Sequence, residues 1–284
     1  MIFHEWSLIF FTVLAQTAVG GYLLVSANAL ISRHDEEKIN SYKIPMFVLW
    51  ALMGIGFMFS TLHLGSPLRA FNAFNRLGAA WLSNEVFFGA AFFAVGGLQW
   101  LLSVLNKGGL MAQKVLTIVA MLLGAIFMYA MIKVYMINTV PTWFNVYTPL
   151  SFLMTMVVAG LLLYQWIKVS ADDDNAALHR YIVLIAIVAV AISVVVTLGK
   201  ANLMGEIQTS ITSASALVDG LANYLLLQVA LLMLGLFIWA QPLISGKAVK
   251  PLNLALALVL VLTSELIGRG LFYSLHMTSG LPKF

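Results

Sequence analysis

Eight long apolar runs leave this chain few ways to fold. They cover Trp6–Ile31, Ile44–Leu62, Val86–Leu105, Val115–Ile137, Tyr147–Val169, Tyr181–Leu198, Leu221–Ile244 and Leu252–Leu275, each 18 to 26 residues long. A helix of about 20 residues crosses the roughly 30 Å of bilayer hydrocarbon. Only helices and closed barrels satisfy their backbone polar groups there. The runs are continuous rather than alternating, which selects helices. Charged residues make up 9% of the chain, against about 25% in a typical soluble domain. The expectation is an all-α integral membrane protein, a single domain over residues 1–284 with eight transmembrane helices.

The basic residues orient it. The connections after the first, third, fifth and seventh runs carry Arg33, Lys38, Lys43, Lys107, Lys114, Lys168, Arg180, Lys247 and Lys250. The opposite connections carry Arg69, Arg76, Lys200 and Lys283, while Lys133 and Arg269 fall inside runs. Cytoplasmic loops concentrate lysine and arginine, so the richer set is expected in the cytoplasm and both termini in the periplasm. The net charge of +4 therefore reports topology and not a nucleic-acid partner. MIFHEW lacks a basic leader, so the first run reads as a retained helix and not a cleaved signal. The acidic groups Asp35–Glu37 and Asp172–Asp174 read as solvated cytoplasmic turns. Residues 199–220 place apolar side chains at Leu203, Ile207, Ile211, Leu217 and Val218, a spacing that predicts an amphipathic helix on the outer surface. No convincing internal repeat is visible.

Chemistry gathers at the outward end. TLHLGSPLRAFNAFNRLGAAWLSNE (61–85) sets His63, Arg69, Arg76 and Glu85 between two spans. Histidine takes and releases protons near neutral pH, and a carboxylate beside it makes a plausible proton-accepting pair. Each residue has a plainer reading. His63 would suit a helix C-terminus, and Glu85 a helix N-terminus capped by Ser83 or Asn84. Glu265 and Arg269 are four residues apart inside the last run, and share a helix face. Charges at that depth face the bundle interior and have partners, so they form either a structural ion pair or part of a ligand site. His276 follows near the C-terminus. Lys133 reads as a side chain snorkelling to the interface.

The absences narrow the field. The chain has no cysteine, which excludes thiolate zinc sites and cysteine-held iron–sulfur clusters within it. No histidine lies deep in a run to hold a haem, and there is no phosphate loop, nucleophile elbow or metal-ligand cluster. Any redox role would send its electrons out through another subunit.

HEWSLIFFTVLAQTAVGG at the start, LWALMGIGFMFSTLHLGSPLRAFNAFNRLGAAWLSNE, the VPTWFNVYTP connection and SELIGRGLFYSLHMTSG near the end closely resemble the dimethyl sulfoxide reductase anchor subunit family. The resemblance implies an eight-helix, haem-free anchor in the inner membrane of a Gram-negative bacterium. It would bind and oxidise menaquinol near the periplasmic face. Electrons would pass to an iron–sulfur subunit with four [4Fe-4S] clusters, then to a molybdenum bis-guanine-dinucleotide catalytic subunit, both on the periplasmic side. The family's quinol-linked histidine and glutamate fall on His63 and Glu85, and the arginine of GSPLRAF on Arg69. Glu265, Arg269 and His276 are expected to form the opposite wall of the menaquinol pocket. Two other readings remain open at this point: a structural anchor without a quinol site, and a secondary transporter built around Glu265 and Arg269.

Overall fold

A computed structural model describes residues 5–31, 41–62, 72, 75–173, 175–209 and 212–278. Among them are eight helices long and apolar enough to span a membrane. They are α1 (Trp6–Ile31), α2 (Lys43–Leu62), α3 (Trp81–Val104), α4 (Leu110–Tyr135), α5 (Tyr147–Ser170), α6 (Ala176–Glu206), α7 (Leu221–Ser245) and α8 (Pro251–Ser274).

Two helices form the spine. α1 and α5 pack against each other, with α2, α3 and α4 on one flank and α6, α7 and α8 on the other. The spine closes at Gly20 and Gly160. A Cβ on Gly20 would sit 2.1 Å from the Met156 carbonyl oxygen, and one on Gly160 would sit 2.7 Å from the Gly20 Cα. Small residues let membrane helices approach backbone to backbone where lipid gives no hydrophobic push. Aromatic side chains fill the space around α1: Tyr22, Trp50 and Phe92 make mutual ring contacts. Outward, α4, α6 and α7 present Leu122, Val195 and Phe237, as a lipid-facing surface requires.

The helices also repeat, which the sequence does not announce. α3 and α7 begin at Trp81 and Leu221, α4 and α8 at Leu110 and Pro251, and α1 and α5 at Trp6 and Tyr147. Those three pairs are displaced by about 140 residues, while α2 and α6 begin 133 apart at Lys43 and Ala176, and a near-constant period marks an internal repeat. The packing order repeats with it: α1 on α2, α3 on α4 and α1 on α4 are matched by α5 on α6, α7 on α8 and α5 on α8. The left-handed turn at Asn106 (φ 52°) after α3 has its counterpart at Gly246 (φ 64°) after α7. Gly20 and Gly160 are equivalent positions that touch each other, as an approximate two-fold relation between the halves demands. Four helices per half give both halves the same sense across the membrane, a parallel repeat.

Three expectations change here. The stretch after residue 198 is not a surface helix. α6 runs on to Glu206, the chain then turns through a single bridge between Gln208 and Ser213, and a 3₁₀ turn follows at Ala214–Leu217. Its apolar residues Met204, Ala214 and Val218 are buried with Ile267, Leu271 and Met277, so they face the end of α8. Second, Asp173 is not simply solvated. It accepts hydrogen bonds from Tyr42 Oη at 2.6 Å and from Lys168 Nζ at 2.7 Å, and Lys168 is 4% exposed. Third, Lys200, placed in a connection by the sequence, lies within α6, whose buried His179 packs against Gln165; the Gln165 amide oxygen accepts a bond from Trp239 Nε1 at 2.5 Å.

Candidate functional site

Glu85 is not a helix-end acid. α3 starts at Trp81 with Ala80 as an N-cap that makes no side-chain bond, and Asn84 Oδ1 instead accepts from the Gly78 amide at 2.7 Å. Glu85 therefore sits a turn inside the helix, 3% exposed, and among the described residues its Oε1 has no hydrogen-bond partner. A buried carboxylate oxygen without a donor is costly and rare. Such a group in a membrane bundle marks a working site by default.

A pair of phenols is buried at the same end of the bundle. Tyr273 Oη donates to Tyr135 Oη at 2.5 Å. Tyr273 also lies close to Thr12 on α1. One turn along α1, Gln16 Oε1 accepts from Arg269 Nη2 at 2.9 Å. The guanidinium stacks 3.5 Å above the Phe152 ring, and among the described residues its Nε has no hydrogen-bond partner.

The acid and base of α8 do not meet directly. Among the described residues no ion pair joins Glu265 to Arg269; Thr155 lies between them. Its hydroxyl is 2.7 Å from Glu265 Oε2 and accepts a long 3.4 Å bond from Arg269 Nη2. Glu265 is 8% and Arg269 4% exposed. Both line a cavity of about 50 Å³ between α5, α6, α7 and α8, with Ser193, Thr197, Lys200 and Gln228. Gly268 makes room for it: a Cβ there would lie 2.5 Å from Gln228 Nε2. Lys200, expected in an outer loop, belongs to α6 and sits 4.6 Å from the centre of the Phe272 ring.

A second, open groove of about 660 Å³ runs between the start of α3 and the end of α4, bordered by Trp81, Leu82, Lys133, Ile137 and Phe144. Lys133 Nζ lies over the Trp81 and Tyr129 rings, at 5.8 and 5.7 Å, as a snorkelling lysine held by cation–π contact would. Above it the VPTWFNVYTP connection is tied to the end of α8. Trp143 Nε1 donates to the Phe272 carbonyl at 2.9 Å, and the Met277 amide donates to Thr142 Oγ1 at 3.1 Å. His276 is half-buried with its ring 4.6 Å from that of Trp143.

Of the expected site residues, Glu85, Glu265, Arg269 and His276 thus occupy one end of the bundle, and Arg76 is exposed there. His63 and Arg69 lie outside the described residues. Sequence reasoning missed Gln16, Thr155, Lys200, Gln228 and the Tyr135–Tyr273 pair. Gln16 and Gln228 carried a usable signal, since an amide in the middle of an apolar run needs a partner. The tyrosines carried none, being common at membrane boundaries.

The family model described as "DMSO reductase anchor subunit (DmsC)" matches residues 1–275. The sequence is 41% identical over 279 residues to the C chain of the anaerobic dimethyl sulfoxide reductase of Escherichia coli (strain K12), covering 98% of this protein and 97% of that one. It is 42% identical to the YnfH chain of an anaerobic dimethyl sulfoxide reductase from the same strain, with the same coverage. Against the corresponding C chain of Haemophilus influenzae the identity is 39% over 278 residues, again 98% and 97% of the two proteins. No solved structure matches the sequence.

Proposed function

This chain belongs to the DMSO reductase anchor subunit family, and from that premise we propose that it oxidises menaquinol at the end of the bundle that holds Glu85. It is the multi-pass membrane anchor of a dimethyl sulfoxide reductase-type complex in the bacterial inner membrane. Its electrons pass to a four-cluster iron–sulfur subunit and then to a molybdenum catalytic subunit, both on the periplasmic side.

The observation that carries the reading is the unpartnered, buried carboxylate oxygen of Glu85 one turn below Trp81, which borders the large groove. That groove falls in the range of about 300–1,000 Å³ typical of ligand sites, and its apolar, aromatic border suits a naphthoquinol ring entering from lipid. Oxidation of a quinol releases two protons and two electrons. His63 takes one hydroxyl proton, Glu85 takes the other, and Arg69 supplies positive charge near the developing quinol oxyanion. A base positioned for proton transfer contributes about 10²- to 10⁴-fold in rate. The wall formed by Glu265 and Arg269 does not accommodate the ring itself, because the cavity beside it holds only about 50 Å³. His276 stays with the aromatic loop at the rim.

Quenching of a fluorescent quinol-analogue inhibitor by membranes bearing the whole complex tests this. Wild type should quench, and His63→Ala should lose quenching while keeping acceptor reduction from an artificial dye. No quenching by the wild type would favour an anchor without a quinol site.

A further inference from the structure

Two cations and one carboxylate line the cavity between α5, α6, α7 and α8: Lys200, Arg269 and Glu265. Among the described residues neither cation makes an ion pair. Lys200 Nζ rests 4.6 Å from the centre of the Phe272 ring, and the Arg269 guanidinium carbon lies 5.7 Å from the same centre. Glu265 is engaged elsewhere, with Oε2 2.7 Å from the Thr155 hydroxyl. Glu85 is not on the wall, so two positive groups and one negative leave the cavity a formal charge of +1.

Donors exceed acceptors there as well. Lysine brings three N–H donors and a glutamine amide two, and hydroxyls can donate. Lys200, Gln228, Ser193 and Thr197 all line the cavity, against the single carboxylate of Glu265. Water can satisfy such donors but cannot balance their charge. A charge buried in a membrane bundle without compensation is expensive, and low permittivity lets it act over several bond lengths.

The two halves of the molecule differ at this place. Displaced by about 140 residues, Trp81 and Glu85 on α3 correspond to Leu221 and Leu225 on α7, and both leucines line the cavity. The second half thus keeps the place of the Glu85 site without its carboxylate, and it adds Lys200 from α6. Size then limits the occupant. A water-sized particle needs about 10–15 Å³, so about 50 Å³ admits one small ion with a few waters and excludes a quinol ring.

We propose that this cavity binds one small monovalent anion, of halide or formate size, held by Lys200, Gln228 and the hydroxyls of Ser193 and Thr197. The ion cancels the charge of the wall, whereas a divalent oxyanion would overcompensate it. Its ligands come from α6 and α7, and it faces Arg269 on α8, so it stabilises the packing of the second half.

Thermal inactivation of the detergent-solubilised three-subunit complex tests this, in sodium chloride, bromide or gluconate at equal ionic strength. Gluconate is too large to enter. Chloride and bromide should raise the midpoint by a few degrees over gluconate, and Lys200→Met should abolish that difference. Thr197→Leu, which fills the cavity and keeps both cations, should abolish it too and serves if Lys200→Met fails to assemble. Glu265→Gln removes the negative charge from the wall, and should bring the half-maximal halide concentration down about tenfold. Equal midpoints in all three salts would overturn the site and leave a cavity that holds water alone. A halide shift that survives at full size in the assembled cavity variants would overturn it as well, by placing the ion elsewhere. Quenching of the quinol-analogue inhibitor is read separately, so the quinol site stands or falls independently of either result.

Discussion

The two ends of this bundle bury charge in opposite ways. At one end Lys168 bonds to Asp173 and to the hydroxyl of Tyr42, which in turn donates to Asp173. Lys168 and Asp173 thus hold opposite charges 2.7 Å apart. At the other end, among the described residues, Glu85 keeps an oxygen without a donor, and Arg269 keeps an Nε without an acceptor. A buried pair that satisfies itself holds helices in place. A buried charge that does not must be compensated by neighbouring dipoles or by something that visits the site. The first arrangement joins the start of α2 to the end of α5, and the second is where chemistry would be done.

Replacing charges at the two ends should separate these roles. The largest effect is expected at the incomplete end. Glu85→Gln should cut quinol-dependent turnover about a thousandfold, roughly 4 kcal/mol of barrier, while thermal inactivation in detergent stays at the wild-type temperature or rises. A fall in both would erase the contrast and make Glu85 a structural acid. At the satisfied end, Lys168→Met should cost about 3 kcal/mol of stability, because it removes the cation that balances the Asp173 carboxylate. Inhibitor quenching by the surviving complex should not change. The double variant Lys168→Met/Asp173→Leu should recover most of that loss. If it does not, the pair does more than hold helices.

The smallest effect is expected at Tyr42. Tyr42→Phe removes one hydrogen bond to a charged group and should cost about 1.5 kcal/mol. Burial first, and the Asp173 carboxylate second, push the Tyr42 hydroxyl well above its ordinary value of 10.0. A raised value means that the folded state holds the proton more tightly. The contribution of Tyr42 is thus complete below about pH 10 and lost as pH rises toward the folded-state value. Thermal scans of wild type and Tyr42→Phe should therefore differ near neutral pH and converge in strong alkali.

The eight spans were legible because lipid imposes length and apolarity on each independently. Their ends were not. Lys200 reads as a loop residue because a cation closes any hydropathy window, yet the Phe272 ring gives it a place inside α6. Ser83 and Asn84 look like caps before Glu85, but the helix had already begun at Trp81. Glu85, Glu265 and Arg269 were visible as charge where charge is expensive. Thr155 standing between the last two was not, since nothing in the spacing of α8 reports a hydroxyl arriving from α5. The repeat stayed hidden for a related reason. A lipid-facing or core position accepts almost any apolar side chain, so two copies can drift apart while their helices keep the same neighbours. Gly20 and Gly160 kept their identity because backbone lies against backbone there.

The same glycine contact bears on how the protein is made. Each half starts and finishes on one side of the bilayer, so the first four helices can be threaded as a complete set before α5 leaves the ribosome. Two inserted units then meet with backbone against backbone at Gly20 and Gly160. The final step of biogenesis is in effect an intramolecular dimerisation, and Gly20→Ala or Gly160→Ala would stall it after every helix has already entered the membrane.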